Sequence, residues 1–304
     1  MELVFLGTGA GLPTKERNVS SCVLNLMVEC NALWLFDCGE GTQHQFLQTR
    51  LKINKIDKIF ITHLHGDHLF GLPGLLGSRS FRNEAGELTI YGPKGIKQFL
   101  EVVLKISESY IPYPLNIVEI EEGIVFEDEQ FIVTTALLDH RIASYGFRVV
   151  EKDKLGRLDV DLLKIMDIPS GSHLKLLKEG QIVTLEDGRV IDGKDLLKSP
   201  EKAKVVAIFG DTKPTPSAIA LANNADIMVH EATVEGSLAE SAAKYGHSST
   251  LQTATIAKQA KVKKLIITHI SARYGLSDYE RLVAECRTIF ANTEMAEDFS
   301  VFKV

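Results

Sequence analysis

Ile59-Phe60-Ile61-Thr62-His63-Leu64-His65-Gly66-Asp67-His68 is the stretch on which the fold turns. Its first half is apolar and β-branched, the pattern of a buried strand ending at Thr62. Its second half places four potential ligands within six positions. His63 and His65 are two apart and can point to one side of an extended loop, while Asp67 and His68 open a helix. Imidazole and carboxylate are ligand types that zinc accepts in catalytic sites, which also keep a position for water. A lone histidine near an apolar strand is more often packed or capping. Four such residues buried together without a cation would leave several polar groups needing partners. The stretch therefore predicts a metal site at a strand end.

Around it, short runs rich in Val, Ile and Phe read as strands: Leu3–Leu6, Ala32–Phe36, Lys58–Thr62, Leu88–Tyr91, Phe131–Thr135, Val205–Phe209, Ile227–Val229 and Leu265–Thr268. Helical patterns lie between some of them, from Leu69–Leu76 onward and over Lys94–Ile106, Thr215–Asn223, Thr250–Ala260 and Tyr279–Phe290. Alternation of this kind predicts an α/β protein with helices covering sheets. Further ligand candidates follow these strands: His140, Asp211, His269, and His230 at the head of His230-Glu231-Ala232-Thr233. Of nine histidines, only His44 and His173 lie outside the strand ends or the Gly246-His247-Ser248 loop. Ligands and catalytic groups collect at strand ends in α/β architectures, so this distribution favours one common site.

With 304 residues, 45% hydrophobic and 24% charged, the chain can build a full-sized core. The first residues carry no signal-peptide pattern, and no apolar run is long enough to span a membrane. The four cysteines form no CxxC pair and read as free thiols in a reducing cytoplasm. A net charge of −6 counts weakly against a nucleic-acid partner and must be answered locally. Segment 151–204 differs in pattern, with short helical pieces near Asp161–Met166 and His173–Lys178 and a hairpin turning at Asp187-Gly188. Its eleven basic and eleven acidic residues cancel, and its middle is mildly positive, which suggests an inserted arm, with an ordinary surface excursion of one domain as the alternative.

The His63–His68 run matches in full the His-x-His-x-Asp-His motif of the metallo-β-lactamase superfamily, and the layout resembles that superfamily. The resemblance implies an αββα sandwich: two packed mixed sheets with outer helices, domain 1–150 and 205–304, plus the arm at 151–204. It also implies two zinc ions per subunit, one held by His63, His65 and His140, the other by Asp67, His68 and His269, with Asp211 bridging. Asp37, in Phe36-Asp37-Cys38-Gly39, fits the superfamily's early aspartate that supports the metal loop.

Pro13-Thr14-Lys15-Glu16-Arg17-Asn18, His230–Thr233, Gly246-His247-Ser248 and Thr268-His269-Ile270-Ser271-Ala272-Arg273-Tyr274 together look like the short form of the ribonuclease Z family. The resemblance runs from Leu3 to the last strand. It implies a zinc-dependent endoribonuclease that removes the 3′ trailer from precursor tRNA, leaving a 3′-hydroxyl on the tRNA and a 5′-phosphate on the trailer. Asp67 would act as general base, His247 held by Glu231 as proton donor, and Lys15, Arg17, Asn18 and Arg273 as tRNA contacts. His230 would order its loop. The arm would grip the tRNA elbow, although Pro169-Ser170-Gly171-Ser172 stands where the family has a Gly- and Pro-rich turn. A homodimer is implied, for which the Leu69–Leu76 helix and Phe81 offer apolar surface, although the same pattern would serve a core. The rival readings are a hydrolase of small esters or thioesters on the same fold, and an RNA-binding relative without catalysis.

Overall fold

The computed structural model describes residues 1–81, 85–153, 156, 158–198 and 203–304. Two seven-stranded sheets form the framework. Across the first the order is Val301–Lys303, Glu2–Gly7, Ser21–Leu26, Ala32–Phe36, Ile56–Phe60, Leu88–Gly92 and Leu115–Glu119. Pairing is antiparallel as far as Ala32–Phe36 and parallel beyond it. Across the second the order is Thr293–Met295, Lys264–Thr268, Ile227–Glu231, Val205–Phe209, Tyr145–Glu151, Phe131–Leu137 and Gly123–Glu127, with the first four parallel.

Strand Ala32–Phe36 shows how the sequence builds the layers, since all of it is buried and its side chains alternate between two apolar environments. Leu33 and Leu35 join a cluster with Phe46, Leu75, Leu76, Ile96 and Leu100, which belong to helices Thr42–Leu47, Leu72–Ser80 and Ile96–Ile106. Phe36 faces the other way. It and Phe60 meet Phe147 of strand Tyr145–Glu151 at ring separations of 5.9 and 5.3 Å. On the far side, helices Pro216–Ala222, Thr250–Gln259 and Tyr279–Arg287 cover Ala207, Met228, Leu265 and Ile267 of the second sheet. The result is the expected helix–sheet–sheet–helix layering of the metallo-β-lactamase fold.

Each expected strand and helix is present; Ala32–Phe36, Val205–Phe209 and His173–Lys178 match in full, and the others have shifted ends. The strand before the motif closes at Phe60 rather than Thr62. The cause is local: the Thr62 amide turns to donate to Asp37 Oδ1 at 2.8 Å. Strands Ser21–Leu26, Leu115–Glu119, Gly123–Glu127, Tyr145–Glu151 and Val301–Lys303 carry weaker patterns and were not expected.

Residues Glu127–Ile132 and Val150–Lys204 form a second compact unit. It has its own cluster of Leu177, Val183, Leu185, Ile191 and Leu196. Helices Val160–Ile165 and His173–Lys178 lie here, and Ile182–Thr184 pairs antiparallel with Val190–Asp192 across the Asp187-Gly188 turn. Of the expected 151–204 segment, residues 154, 155, 157 and 199–202 lie outside the described residues. Among the described residues, no helix is long and apolar enough to cross a membrane.

Candidate metal centre

His63, His65, Asp67 and His68 leave the end of strand Ile56–Phe60, and helix turn Gly66–Leu69 carries the last two. Asp211 follows Val205–Phe209, His269 follows Lys264–Thr268, and His140 lies three residues beyond Phe131–Leu137. These ends converge. Side-chain ligand atoms of His63, His65, His140 and Asp211 all lie within 4.8 Å of one another, as do those of Asp67, His68, Asp211 and His269. Asp211 belongs to both groups. Asp37 and His269 also adopt left-handed backbone, at φ 57° and 58°, a conformation of non-glycine residues that recurs at functional sites.

The outer hydrogen bonds decide which imidazole nitrogen faces inward. Thr62 Oγ1 donates to Asp37 Oδ2 at 2.9 Å, so its lone pair accepts from His63 Nδ1 at 3.0 Å. Thr233 Oγ1 likewise donates to Glu231 Oε2 at 2.6 Å and accepts from His269 Nδ1 at 3.0 Å. His68 Nδ1 donates directly to Asp37 Oδ2 at 2.7 Å, and His140 Nδ1 to the Gly246 carbonyl at 2.7 Å. Gly246 manages this at φ 83°, where a Cβ would stand 2.5 Å from His140 Nδ1. Each Nδ1 is thereby protonated and each Nε2 presents a lone pair to the centre, the arrangement outer partners impose on metal-binding histidines.

Those inward atoms lack protein partners suited to them. His63 Nε2 is fully buried without a hydrogen bond. His140 Nε2 stands 3.2 Å from His65 Nδ1, and His68 Nε2 stands 3.3 Å from His269 Nε2. Asp37, Asp211 and Glu231 are buried carboxylates in the same cluster. Burial pushes His63 well below the usual imidazole range. Facing lone pairs and buried negative charge are what a bound divalent cation resolves, so the donor set fits one.

His247 adjoins the centre. Its Nδ1 donates to Glu231 Oε1 at 3.0 Å, and the same carboxylate accepts from the Thr212 and Ser248 amides at 2.7 and 3.0 Å. Burial works against protonating His247, yet the Glu231 hydrogen bond and charge prevail and push it up to about 9. The cleft over the centre has a volume of about 330 Å³ and is lined by His65, Asp67, His140, His247, Arg141 and Arg273, among others. His230 points elsewhere: it is buried against Phe209, with Nδ1 2.8 Å from the Glu231 carbonyl.

The four residues expected to touch RNA divide. Lys15 and Arg273 are exposed, and Arg273 lines the cleft. Arg17 is only 3% exposed, with Nε donating to Tyr279 Oη at 2.7 Å and Nη1 to Thr8 Oγ1 and the Ala296 carbonyl at 2.6 Å each. Its guanidinium braces the loop from within and is not presented to a ligand. Asn18 is also committed, its Nδ2 donating to the Glu40 carbonyl at 2.9 Å. Sequence reasoning missed Thr62 and Thr233 as supports, although each adjoins or nearly adjoins a motif residue. It also missed Arg141, whose signal was its position beside His140.

Comparison with known proteins places this geometry. A family model described as "Anti-Pycsar protein Apyc1" matches residues 1–146. The chain is 56% identical to the ribonuclease Z of Listeria innocua, over 100% of this chain and 99% of that one. It is 54% identical to the ribonuclease BN of Proteus mirabilis, with both chains covered in full. The crystal structure of human tRNase Z, short form, superposes with a TM-score of 0.72 at 30% identity, covering 100% of this chain and 99% of that one. Identity at this level along the whole length, on a fold whose strand ends gather the histidines and aspartates described above, assigns the chain to the ribonuclease Z family of metal-dependent endoribonucleases.

Proposed function

We propose that the chain cuts precursor tRNA on the 3′ side of its mature end, leaving a 3′-hydroxyl on the tRNA and a 5′-phosphate on the trailer. The observation that carries this is the convergence of inward-facing lone pairs beside the His247–Glu231 pair in one open cleft. Two zinc ions fit the donor set, one at His63, His65 and His140 and one at Asp67, His68 and His269, with Asp211 between them. Bound there, they would supply a water nucleophile at neutral pH and a positive clamp for the phosphodiester.

The chain's own groups then divide the work. Asp67 faces the cleft and accepts the proton of the attacking water. His247, its Nδ1 fixed by Glu231, directs Nε2 toward the departing 3′-oxygen and delivers a proton there. Lys15 and Arg273 hold flanking phosphates, which positions the strand without reading its sequence. The compact unit built on Val150–Lys204 serves as the arm that grips tRNA, and two chains associate as a homodimer. Local basic groups at the arm and cleft answer the overall negative charge, so affinity should fall only modestly with salt.

The test is cleavage of a precursor tRNA carrying a 3′ trailer by metal-loaded wild type and by Asp67→Ala. Cutting after the discriminator base by wild type alone supports the reading. No cutting by folded, metal-loaded wild type sinks it and leaves a hydrolase of small esters. Sedimentation showing only monomer at working concentration would remove the dimer.

A further inference from the structure

The Gly9–Asn18 loop reaches the metal centre through one backbone group. Gly11 N donates to Asp67 Oδ2 at 2.8 Å, the shortest hydrogen bond to that carboxylate among the described residues. The same oxygen stands 3.4 Å from His269 Nε2 and 3.5 Å from His68 Nε2. Gly11 is exposed and a Cβ there would meet nothing within 4 Å, so space does not require a glycine. Its backbone does: φ is +73°, the left-handed region that glycine enters freely and alanine does not.

The loop behind this amide is firmly anchored. Gly9–Ala10 pairs parallel with Ile270–Ser271, which directly follows His269. Thr8 N and Gly9 N both donate to the Asn18 carbonyl at 2.9 and 2.8 Å, and Asn18 N donates to Asp298 Oδ2 at 2.7 Å. Arg17 locks the same base from inside. The donor at residue 11 is therefore held on a rigid mount, on the loop that also carries Lys15.

We propose that Gly11 is a positioning residue, whose amide fixes the rotation of the Asp67 carboxylate and couples the Lys15 loop to the reaction centre. This rests on Asp67 acting as the base. A carboxylate free to rotate loses the alignment on which proton abstraction depends, and small misplacements of such groups cost large factors in rate.

The experiment compares wild type, Gly11→Ala and Gly11→Asn, each assayed for bound zinc, thermal melting, precursor tRNA cleavage and hydrolysis of bis(p-nitrophenyl) phosphate. The last is a small diester that does not span the loop. Expected for Gly11→Ala is a fall in kcat of about tenfold or more on both substrates. Zinc content and KM for tRNA should stay near wild type. Gly11→Asn should recover most of the loss, because asparagine tolerates left-handed backbone far better than alanine. Unchanged turnover of the small diester by Gly11→Ala overturns the proposal, as does a loss confined to KM for tRNA or explained by lost zinc. Wild type that hydrolyses the small diester but spares tRNA would instead sink the tRNA reading alone.

Discussion

Replacing Asp37 by asparagine should weaken the protein twice, once without any metal and once through it. Asp37 is 6% exposed and accepts three hydrogen bonds, from Thr62 N at 2.8 Å, Thr62 Oγ1 at 2.9 Å and His68 Nδ1 at 2.7 Å. An asparagine must set its amide nitrogen against one side of this arrangement. In one orientation it opposes the Thr62 amide; in the other it opposes the hydroxyl and the imidazole, which are also donors. An unmatched buried donor costs about 1–3 kcal/mol, and loss of the charge-assisted bond to His68 adds about 1.5–3 kcal/mol. Urea unfolding of chelator-treated Asp37→Asn should therefore show a loss of about 2.5–6 kcal/mol, a large part of a usual folding stability. Zinc affinity, read by competition with a chromophoric chelator, should fall about 10–100-fold, the usual consequence of losing an outer partner. A metal-free loss under about 1 kcal/mol with wild-type zinc affinity would refute the reasoning, since the hydrogen bonds would then be carrying neither stability nor ligand orientation.

Thr62→Val and Thr233→Val each remove one hydroxyl that orients an imidazole, and each should weaken zinc binding by about tenfold in the same competition assay. His247→Ala should lower turnover by about 10²–10⁴-fold with zinc content unchanged, measured in single-turnover cleavage. Arg17→Ala should cost about 2–4 kcal/mol in urea unfolding through lost buried hydrogen bonds, whereas Lys15→Ala should leave stability within about 0.5 kcal/mol and weaken tRNA binding. Treatment with a chelator should lower the melting temperature, with about 4 kcal/mol of stabilisation returned by zinc at a thousandfold excess over its Kd.

The clustered histidines and aspartates were legible because their residue types are costly to bury and their spacing follows a strand end. The layers were legible because a strand covered on both faces, such as Ala32–Phe36, must be apolar throughout. Strand neighbours were not, since Val301–Lys303 lies beside Glu2–Gly7 through contacts that no local pattern encodes. Leu115-Asn116-Ile117-Val118-Glu119 escaped for a related reason: its partly exposed side chains blur the apolar run. Arg17 shows the limit most clearly. A basic residue in a family loop reads as a phosphate contact, and only the placement of Thr8, Tyr279 and Ala296 around it shows an internal brace.

The long separation between the two halves of the centre bears on how the protein is made. His68 and His269 are 201 positions apart, so a ribosome working at about 5–20 residues per second needs roughly 10–40 s to add the second after the first. During that interval the His63–His68 motif exists without Asp211 or His269, as an incomplete chelator on a growing chain. The donor set is complete only when strands Val205–Phe209 and Lys264–Thr268 have brought the late ligands home. Metal availability while the first half is being made should thus matter less to the yield of loaded enzyme than availability once the late strands have formed.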